Sequence, residues 1–328
     1  MTILVTGGGG FLGGAIVRQL LERGETVRSF SRGAYPELNA LGVETVQGDL
    51  TSAADVVGAV EGIEGVFHVA AKAGVSGRAD EYESTNVAGT QNVLHAVRAA
   101  GIPRLVYTST PSVVHGGGDV AGVDESMPYS ETFSGPYPRT KAEAERLVLA
   151  ANDFKLATVS IRPHLVWGPG DQQLVPQIIK WARAGRARLI GDGSNLVDST
   201  FIDNAAHAHL LAYDRLKPGS AVAGKAYFIA QGEPLPMSEL LAAMLSTVDL
   251  PPIKKSIPFG VAVVLGRIFD ALYGGLGLRA EPPMTQFLAE QLATAHWYDL
   301  SAAKHDLGYK PIVSFTEGLD FLRRSYQI

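Results

Sequence analysis

The sequence TILVTGGGGFLGG at residues 2–14 places a run of glycines between two different hydrophobic patterns. Residues 2–6 are rich in Ile, Leu and Val, which is typical of a strand buried on both faces of a parallel sheet. From Phe11 onwards, apolar residues recur at spacings of three and four, which predicts a helix. The glycines therefore lie on a turn from the carboxyl end of a strand to the N-terminus of a helix.

The spacing of Gly7, Gly10 and Gly13 fits a dinucleotide site better than a plain turn. Glycines three residues apart permit a tight turn, bring bare backbone close to a pyrophosphate and let the helix pack closely on the strand. Unpaired N–H groups at the helix N-terminus can then bind the anion.

The rest of the N-terminal half repeats this alternation. Apolar runs typical of buried strands follow at 26–30, 43–47, 65–69, 105–108 and 158–161. Helical patterns lie at 11–23, 52–60, 82–100 and 137–151. Such alternation predicts an α/β fold with a Rossmann-type, doubly wound parallel sheet.

Regularity fades after Arg162, where Pro and Gly become frequent, and this predicts a smaller C-terminal substrate-binding lobe. We expect residues 1–162 to form an NADP-binding Rossmann domain that carries the catalytic residues. Residues 163–328 would mainly bind substrate, with some segments returning to the Rossmann sheet.

Charge and composition exclude several functions. The net charge is −5 and no basic run occurs, so we expect no nucleic-acid partner. The absence of cysteine excludes disulfides and thiolate catalysis, and the histidines show no metal-ligand spacing, so we expect no metal. The first residues enter a strand without a basic n-region or cleavage site, which makes a cytoplasmic location the default expectation.

The apolar stretch at residues 256–278 suits more than one role. Arg267 and Asp270 interrupt it well before the roughly 20 residues that a membrane span needs. A core helix or a lid over an apolar substrate is favoured over contact with a membrane surface. In the lid interpretation, Val264 and Ile268 would contact the substrate.

Tyr137 and Lys141 carry the pattern of an acid–base pair. A helix beginning near Tyr137 tolerates Pro138 in its first turn, and residues four apart share a helix face. A phenol has a pKa near 10, and a nearby ammonium favours the phenolate, which makes the phenol a tuned general acid or base. The spacing alone also fits a surface pair, but the preceding dinucleotide motif favours catalysis.

Hydroxyl side chains cluster at the carboxyl end of the fifth predicted strand, where open α/β sheets bind ligands. They are Thr108, Ser109, Thr110 and Ser112. One of them could hold a substrate carbonyl beside Tyr137, although turn-forming Ser and Thr would give the same composition.

The end of the second predicted strand bears on cofactor choice. An acid there would bind the ribose 2′-OH of NAD, but no carboxylate lies between Glu25 and Glu37. Ser31 falls at that position and Arg32 follows, and a hydroxyl with a guanidinium suits a 2′-phosphate. NADP(H) is therefore favoured over NAD(H), the alternative being that Arg32 is a solvated loop residue.

Several motifs occur together along the chain. They are T-G-x-x-G-F-L-G at 6–13, G-D-L at 48–50, H-V-A-A at 68–71, N-V-x-G-T at 86–90, Y-T-S-T at 107–110, Y-x-x-x-K at 137–141 and R-P-x-x-V-x-G-P-G-D at 162–171. The chain thereby resembles the extended short-chain dehydrogenase/reductase superfamily. Residues 161–212 are similar to its 3-beta-hydroxysteroid dehydrogenase branch, especially to sterol-4-alpha-carboxylate 3-dehydrogenases and bacterial 2-alkyl-3-oxoalkanoate reductases of long-chain olefin synthesis.

The resemblance implies a role for each matching residue. Tyr137 would exchange a proton with the substrate oxygen while the nicotinamide exchanges a hydride, Lys141 would hold the ribose and lower the phenol pKa, and Thr110 would bind substrate. Cofactor contacts would come from Gly7, Gly10, Phe11, Leu12 and Gly13 at the turn, Asp49 and Leu50 at the adenine, Ala70 and Ala71 at the phosphates and ribose, and Pro163, Leu165 and Val166 at the nicotinamide. Asn86 would brace the sheet or cap a helix, and His164 and Arg162 are interpreted as structural.

The implied activity is interconversion of a 3-keto and a 3-hydroxy group on a hydrophobic carboxylic acid, as in a 2-alkyl-3-oxoalkanoate reductase. Alternatives are a sterol-4-alpha-carboxylate or 3-beta-hydroxysteroid dehydrogenase, a nucleotide-sugar epimerase or dehydratase, and a cofactor-sensing regulator. Regulators of that kind usually lack Tyr-x-x-x-Lys. The expected partner is a hydrophobic small-molecule substrate; a homodimer and association with a membrane surface or a pathway enzyme stay open.

Overall fold

The computed structural model describes residues 2–74, 77–275 and 282–327. Its strands are β1 (Thr2–Thr6), β2 (Thr26–Ser31), β3 (Glu44–Gln47), β4 (Gly65–His68), β5 (Arg104–Thr108), β6 (Val120–Val123), β7 (Ala157–Pro163), β8 (Val166–Trp167), β9 (Leu189–Ile190), β10 (Leu196–Val197), β11 (Thr200–Phe201), β12 (Ala226–Ile229), β13 (Leu235–Pro236), β14 (Ser256–Ile257) and β15 (His296–Tyr298). Its α-helices are α1 (Phe11–Glu22), α2 (Pro36–Ala40), α3 (Ala53–Ala59), α4 (Ala79–Tyr82), α5 (Gly89–Ala99), α6 (Pro136–Ala150), α7 (Leu174–Arg183), α8 (Ile202–Arg215), α9 (Met237–Ser246), α10 (Phe259–Gly275), α11 (Gln286–Ala293) and α12 (Phe315–Ser325).

Within these residues, seven parallel strands form the main sheet in the order β3-β2-β1-β4-β5-β7-β12. The predicted doubly wound α/β fold is confirmed. The chain first builds the sheet outward from β1 to β3 and then resumes on the other side of β1 with β4. Ligands of such sheets bind where the strand order reverses, so the crevice at the carboxyl ends of β1 and β4 is the expected site.

Each face of the sheet has its own hydrophobic core. In β1, Ile3 and Val5 belong to the core that α1 and α8 cover. Leu4 points to the opposite face, where it joins residues of α3, α5 and α6. Successive side chains of a strand alternate between faces, and both faces are buried here, so the strand is apolar without a polar alternation.

A second, four-stranded sheet has the order β13-β10-β15-β6. Its strand β6 precedes residue 162 in the chain, whereas β12, which follows that residue, pairs with β7 in the main sheet. The chain therefore crosses the predicted boundary at residue 162 in both directions, and the division into two domains stays a prediction.

The helix predicted at 82–100 is not continuous. It is divided into α4, a π-helical segment at Glu83–Ala88 and α5. A π-turn inserts an extra residue into the helical spacing and commonly lies at a functional site.

The apolar stretch that begins at residue 256 was expected to be a core helix or a lid; α10 is not a core helix, and its use as a lid stays a prediction. Val264 and Ile268 are 55% and 48% exposed and do not line the cleft described below. They point outward because α10 packs through Ala262 and Gly266, and the absence of a side chain at Gly266 lets the helix approach the backbone of Gln286. Residues 276–278 of the stretch lie outside the described residues. No helix in the described parts of the chain is long and apolar enough to cross a membrane.

Candidate active site

The glycine turn exposes backbone at the switch point of the sheet. Gly7 has a φ of +72°, and its carbonyl oxygen accepts a hydrogen bond of 2.8 Å from the N–H of Gly10. A Cβ on Gly13 would overlap that same carbonyl, and a Cβ on Gly7 would lie 3.1 Å from Cα of Ala70. Side chains at these two positions would collide with the backbone of the turn and of the neighbouring loop. This agrees with the role predicted for the glycines, which is to form a tight turn with exposed backbone.

A buried network beneath the turn fixes the loop that follows β4. The hydroxyl of Thr6 accepts hydrogen bonds from the N–H groups of Val69 and Ala70 and lies 2.9 Å from Nδ1 of His68. On the other side of the ring, Nε2 of His68 lies 3.0 Å from the Thr90 hydroxyl. Burial lowers the pKa of His68 to about 3, so the ring is neutral and joins the two hydroxyls. The sequence motifs contained these residues, but their spacing gave no indication of the network.

Asn86 braces the same loop against α6. Its Oδ1 accepts a hydrogen bond of 2.7 Å from the N–H of Lys72, and its Nδ2 donates to the Lys72 carbonyl and to the Thr140 hydroxyl. The sequence left two roles open for Asn86, bracing the sheet or capping a helix. The contacts observed are those of a brace.

Tyr137 and Lys141 lie one turn apart on α6 and both line the cleft. The Lys141 ammonium donates a hydrogen bond of 2.6 Å to the Thr108 carbonyl and lies 4.2 Å from the centre of the Tyr107 ring. Burial lowers the pKa of Lys141 to about 7, against the opposing effect of Glu145.

The phenol of Tyr137 differs from the expectation in one respect. Burial raises its pKa, while an interaction with the Thr110 hydroxyl lowers it. The lowering by Lys141 that was expected from the sequence is not among the causes of this shift, in which desolvation of the phenolate dominates. A phenol with a raised pKa is protonated at neutral pH and is ready to donate.

Behind Lys141, α6 is joined to β7 by a buried ion pair. Nη2 of Arg162 lies 2.5 Å from Oε1 of Glu145, and both side chains are almost fully buried. Oε2 of Glu145 also accepts a hydrogen bond from the Ser160 hydroxyl. Arg162 is thus engaged inside the protein, as its structural interpretation predicted, and His164 is likewise buried, with Nε2 2.7 Å from Nδ1 of His296.

The cleft above these groups has a volume of about 480 Å³. Most of the residues proposed from sequence line it: Gly7, Gly10, Phe11, Leu12, Gly13, Ser31, Arg32, Asp49, Leu50, Ala70, Ala71, Tyr137 and Lys141. Their individual roles stay predictions.

Four proposed residues do not line the cleft. Thr110 lies beside Tyr137, and its hydroxyl is 3.0 Å from that of Ser112. Pro163 is buried at the end of β7, where it pairs with Ile229. The chain then turns through Leu165, which has a φ of +38°, and Val166 pairs with Thr200 between β8 and β11. The assignment of Pro163, Leu165 and Val166 to the nicotinamide end stays a prediction.

Several residues that line the cleft were not predicted from the sequence, and Tyr35 is the most distinctive of them. Its ring lies across Gly9, so closely that a Cβ on Gly9 would overlap it. The other missed residues are Phe30, Gly33, Gly48, Val69, Ala73, Thr85 and Gln173. Tyr35 could have been predicted to line the cleft because it is an aromatic residue shortly after the second strand. No feature of the sequence around Gln173 indicated that it lines the cleft.

The far end of the cleft is polar, and Asp49 is an acid in its wall. The hydroxyl of Ser31 is buried and has no hydrogen-bond partner among the described residues. The side chain of Gln47 donates a hydrogen bond of 2.8 Å to the Arg32 carbonyl and so fixes the loop. Asp49 turns its Oδ1 toward Thr51, whose N–H and hydroxyl both donate to it.

These features fit a nicotinamide dinucleotide. The glycine turn offers bare backbone for the pyrophosphate. The Ser31 hydroxyl, which has no partner among the described residues, lies at the end of the cleft expected for the adenosine ribose, and Tyr137 and Lys141 line the cleft at the nicotinamide end. Fold and site together define a Rossmann-type oxidoreductase of the extended short-chain class that acts on CH–OH groups with a nicotinamide dinucleotide. The model of the 3-beta hydroxysteroid dehydrogenase/isomerase family matches residues 4–259, and the chain belongs to this family.

Individual relatives confirm the family resemblance that the sequence motifs indicated. The chain is 56% identical over 328 residues to the 2-alkyl-3-oxoalkanoate reductase of Stenotrophomonas maltophilia (strain K279a), covering 99% of each. It is 36% identical to the decarboxylating sterol-4-alpha-carboxylate 3-dehydrogenase of Mus musculus, covering 98% of this chain and 90% of that protein. The solved structure of MoeE5 in complex with UDP-glucose and NAD has a TM-score of 0.78 at 24% identity, covering 100% and 99% of the two chains, and shows the shared fold alone.

Proposed function

We propose that this chain is an NADPH-dependent 2-alkyl-3-oxoalkanoate reductase, which reduces the 3-keto group of a hydrophobic carboxylic acid to a hydroxyl. The observation that carries the reaction type is the position of Tyr137 in the cleft wall, with the Thr110 hydroxyl beside it and Lys141 one helical turn away. The substrate class is supported by the identity to the Stenotrophomonas reductase along the whole chain.

The nicotinamide, when bound, supplies a hydride to the carbonyl carbon. Tyr137 donates the phenolic proton to the carbonyl oxygen as that oxygen gains charge, and Thr110 supplies a second hydroxyl donor to it. The raised pKa of Tyr137 keeps the proton on the phenol until reduction requires it. In its ammonium form, Lys141 has three N–H donors, of which the Thr108 carbonyl takes one, leaving two for the ribose hydroxyls and the phenol.

The preference for NADPH over NADH rests on the far end of the cleft. Ser31 and Arg32 both line it, and no ion pair joins the Arg32 guanidinium to another described residue. A free guanidinium can bind a phosphate with two parallel hydrogen bonds. Asp49, an acid in the same wall, accepts two hydrogen bonds from Thr51 through Oδ1, which orient the carboxylate without removing its charge.

The test is a reductase assay with the purified protein, NADPH and four candidate substrates. These are a long-chain 2-alkyl-3-keto acid, a 3-keto-4-carboxysteroid, a plain 3-ketosteroid and a nucleotide sugar. We expect NADPH consumption to be fastest with the 2-alkyl-3-keto acid. Turnover of the nucleotide sugar alone would overturn the substrate assignment, and no turnover with any of them would favour a cofactor-binding regulator.

A sterol-4-alpha-carboxylate dehydrogenase is the second candidate. The mouse relative supports it, and both substrates carry the reacting oxygen beta to a carboxylate. The two candidates separate in the same assay, because a sterol enzyme would show a higher kcat/KM for the rigid carboxysteroid than for the flexible acid.

A further inference from the structure

The glycine run at residues 7–10 contains a glycine that the conformation of the turn does not explain. Gly7 has a positive φ, which favours glycine, whereas Gly9 is not among the glycines with a positive φ. A Cβ on Gly9 would instead overlap Cγ, Cδ2 and Cε2 of Tyr35. The position therefore needs a glycine because an aromatic ring lies against its backbone.

The same ring contacts a second glycine, in the segment that follows β2. A Cβ on Gly33 would lie 3.3 Å from Cε2 of Tyr35 and 3.4 Å from its hydroxyl oxygen. Separations of this size are at the short limit of van der Waals contact, so a side chain at residue 33 would crowd the ring. Gly9 and Gly33 thus both offer bare backbone to the ring of Tyr35.

Tyr35 ends the segment that carries Ser31 and Arg32, and we call residues 31–34 the β2 loop. On the side of β3, the Gln47 side chain donates a hydrogen bond of 2.8 Å to the Arg32 carbonyl, and the N–H of Gly48 donates one of 3.1 Å to the Ser31 carbonyl. On the side of the glycine turn, the ring of Tyr35 supplies the contact. The β2 loop is therefore held from both sides.

Holding this loop matters because of the arginine on it. Arg32 lines the cleft, but its side chain is exposed. Ordering an exposed arginine on a ligand costs conformational entropy, and a guanidinium binds a phosphate with two parallel hydrogen bonds only in one orientation. A loop backbone that is already fixed lowers that cost.

We propose that Tyr35 is a positioning residue for cofactor choice. Its ring fixes the β2 loop against the glycine turn, and this contact gives Arg32 the direction that discrimination of NADPH from NADH requires. The inference rests on the NADPH preference in the proposed function and is independent of the substrate. Because Tyr35 acts through Arg32, the reaction needs its ring and can dispense with its hydroxyl.

Calorimetric titration of the full chain with the adenosine halves of the two cofactors tests the proposal without hydride transfer. Adenosine 2′,5′-bisphosphate carries the 2′-phosphate, and adenosine 5′-monophosphate lacks it. We expect Tyr35→Ala to lower the ratio of the bisphosphate affinity to the monophosphate affinity at least about tenfold, and Tyr35→Phe to preserve this ratio. Gly9→Ala displaces the ring without removing it and should lower the ratio similarly.

Two further variants complete the set. Tyr326→Ala is the matched control, because Tyr326 is 44% exposed and does not line the cleft, and it should preserve the ratio. Urea denaturation checks that each variant is folded. Tyr35→Leu, which keeps apolar bulk but no ring, takes the place of Tyr35→Ala if the alanine variant does not fold.

The Arg32→Ala background separates positioning from direct contact. There, Tyr35→Ala should lower the ratio no further, because the residue through which the ring acts is gone. Equal weakening of both ligands by Tyr35→Ala, an unchanged ratio in Gly9→Ala, or a further loss in the Arg32→Ala background would overturn the role of Tyr35 alone. If the unmodified protein binds the monophosphate more tightly, the NADPH preference itself is wrong and the inference fails with it.

Discussion

At the scale of single residues, Tyr137 gives the first prediction. Tyr137→Phe keeps the ring that lines the cleft and removes only the proton that the reaction needs. We expect kcat to fall about 10²-fold or more, the usual scale for a lost general acid, with NADPH binding unchanged. Steady-state kinetics and a fluorescence titration of NADPH measure the two quantities. A kcat close to that of the unmodified enzyme would remove Tyr137 from the mechanism.

Arg32 gives the second prediction, on cofactor choice. Arg32→Ala should weaken the use of NADPH by about 1.5–3 kcal/mol, the scale of hydrogen bonds to a charged group, and barely change the use of NADH. The comparison is of kcat/KM with each cofactor. Arg78→Ala, which removes an exposed arginine outside the cleft lining, is the control for a general loss of positive charge. The assignment fails if the unmodified enzyme has the higher kcat/KM with NADH.

At the scale of elements, α6 links the site to the core. Tyr137, Lys141 and Glu145 recur every four residues, so one face carries the proton donor, the ammonium and the carboxylate that pairs with Arg162. This pair fixes the helix against β7 and thereby the direction of the two side chains in the cleft. Burial alone would raise the pKa of Glu145, but Arg162 and the hydrogen bonds to the carboxylate lower it overall, so the pair is ionised.

The third prediction follows from that burial. Glu145→Gln leaves the Arg162 charge without its counterion, and the free energy of unfolding should fall by about 3–5 kcal/mol. Glu145→Leu/Arg162→Met removes both charges and should be less destabilising than Glu145→Gln. Urea denaturation measures all three proteins. Glu83→Gln, which breaks the exposed pair with Arg139, is the control and should cost about 1 kcal/mol or less. A small loss for Glu145→Gln would show that the pair contributes little to the fold.

Elements with a strong local pattern were predictable from sequence. The limits of β1 match the structure, and α1 begins at Phe11 as expected, because strand, glycine turn and helix are each marked by neighbouring residues. The same local information placed Tyr137 and Lys141 on one helix face and brought most of the predicted cofactor residues to one cleft.

Features that depend on distant partners were not predictable. The pairing of β12 with β7 and the entry of β6 into the second sheet join segments far apart in the chain. The contact of Tyr35 with Gly9 forms only when the loops after β1 and β2 meet. The apolar composition of α10 likewise gave no indication of which face its neighbours would cover, so the exposure of Val264 and Ile268 was not predicted.

At the scale of the whole molecule, buried neutral histidines tie separate elements together. His209 of α8 accepts a hydrogen bond from the Thr108 hydroxyl through Nε2 and donates through Nδ1 to the Ala205 carbonyl. His296 of β15 donates through Nε2 to the Gln291 carbonyl, while its Nδ1 faces Nε2 of His164 at the end of β7. His68 lies beneath the glycine turn and makes similar contacts. In their neutral form, these histidine rings connect elements of both sheets and of the site.

The last prediction is the loss of stability in acid. Burial lowers the pKa of His68 to about 3 and of His209 and His296 to about 4, from about 6.5 in the unfolded chain, so the unfolded chain binds more protons between pH 4 and 6.5. Each ring therefore contributes stability that is complete above pH 6.5 and falls by about 1.4 kcal/mol per pH unit below it. Burial raises the pKa of Asp198 to about 6, so this carboxyl acts in the opposite direction. Over part of this pH range it offsets the loss of stability that about one histidine ring causes.

We accordingly expect the free energy of unfolding, measured in urea at fixed pH, to be nearly level from pH 7 to 8 and to fall steeply from pH 6.5 to 4. His209→Gln should flatten this fall by about 1.4 kcal/mol per pH unit, because a glutamine does not titrate but can still bind the Thr108 hydroxyl. His95→Gln is the control, since His95 lies on α5 and is exposed, and it should leave the slope unchanged. A free energy of unfolding that stays constant down to pH 4.5 would mean that the buried rings become protonated without disrupting the sheets that they connect.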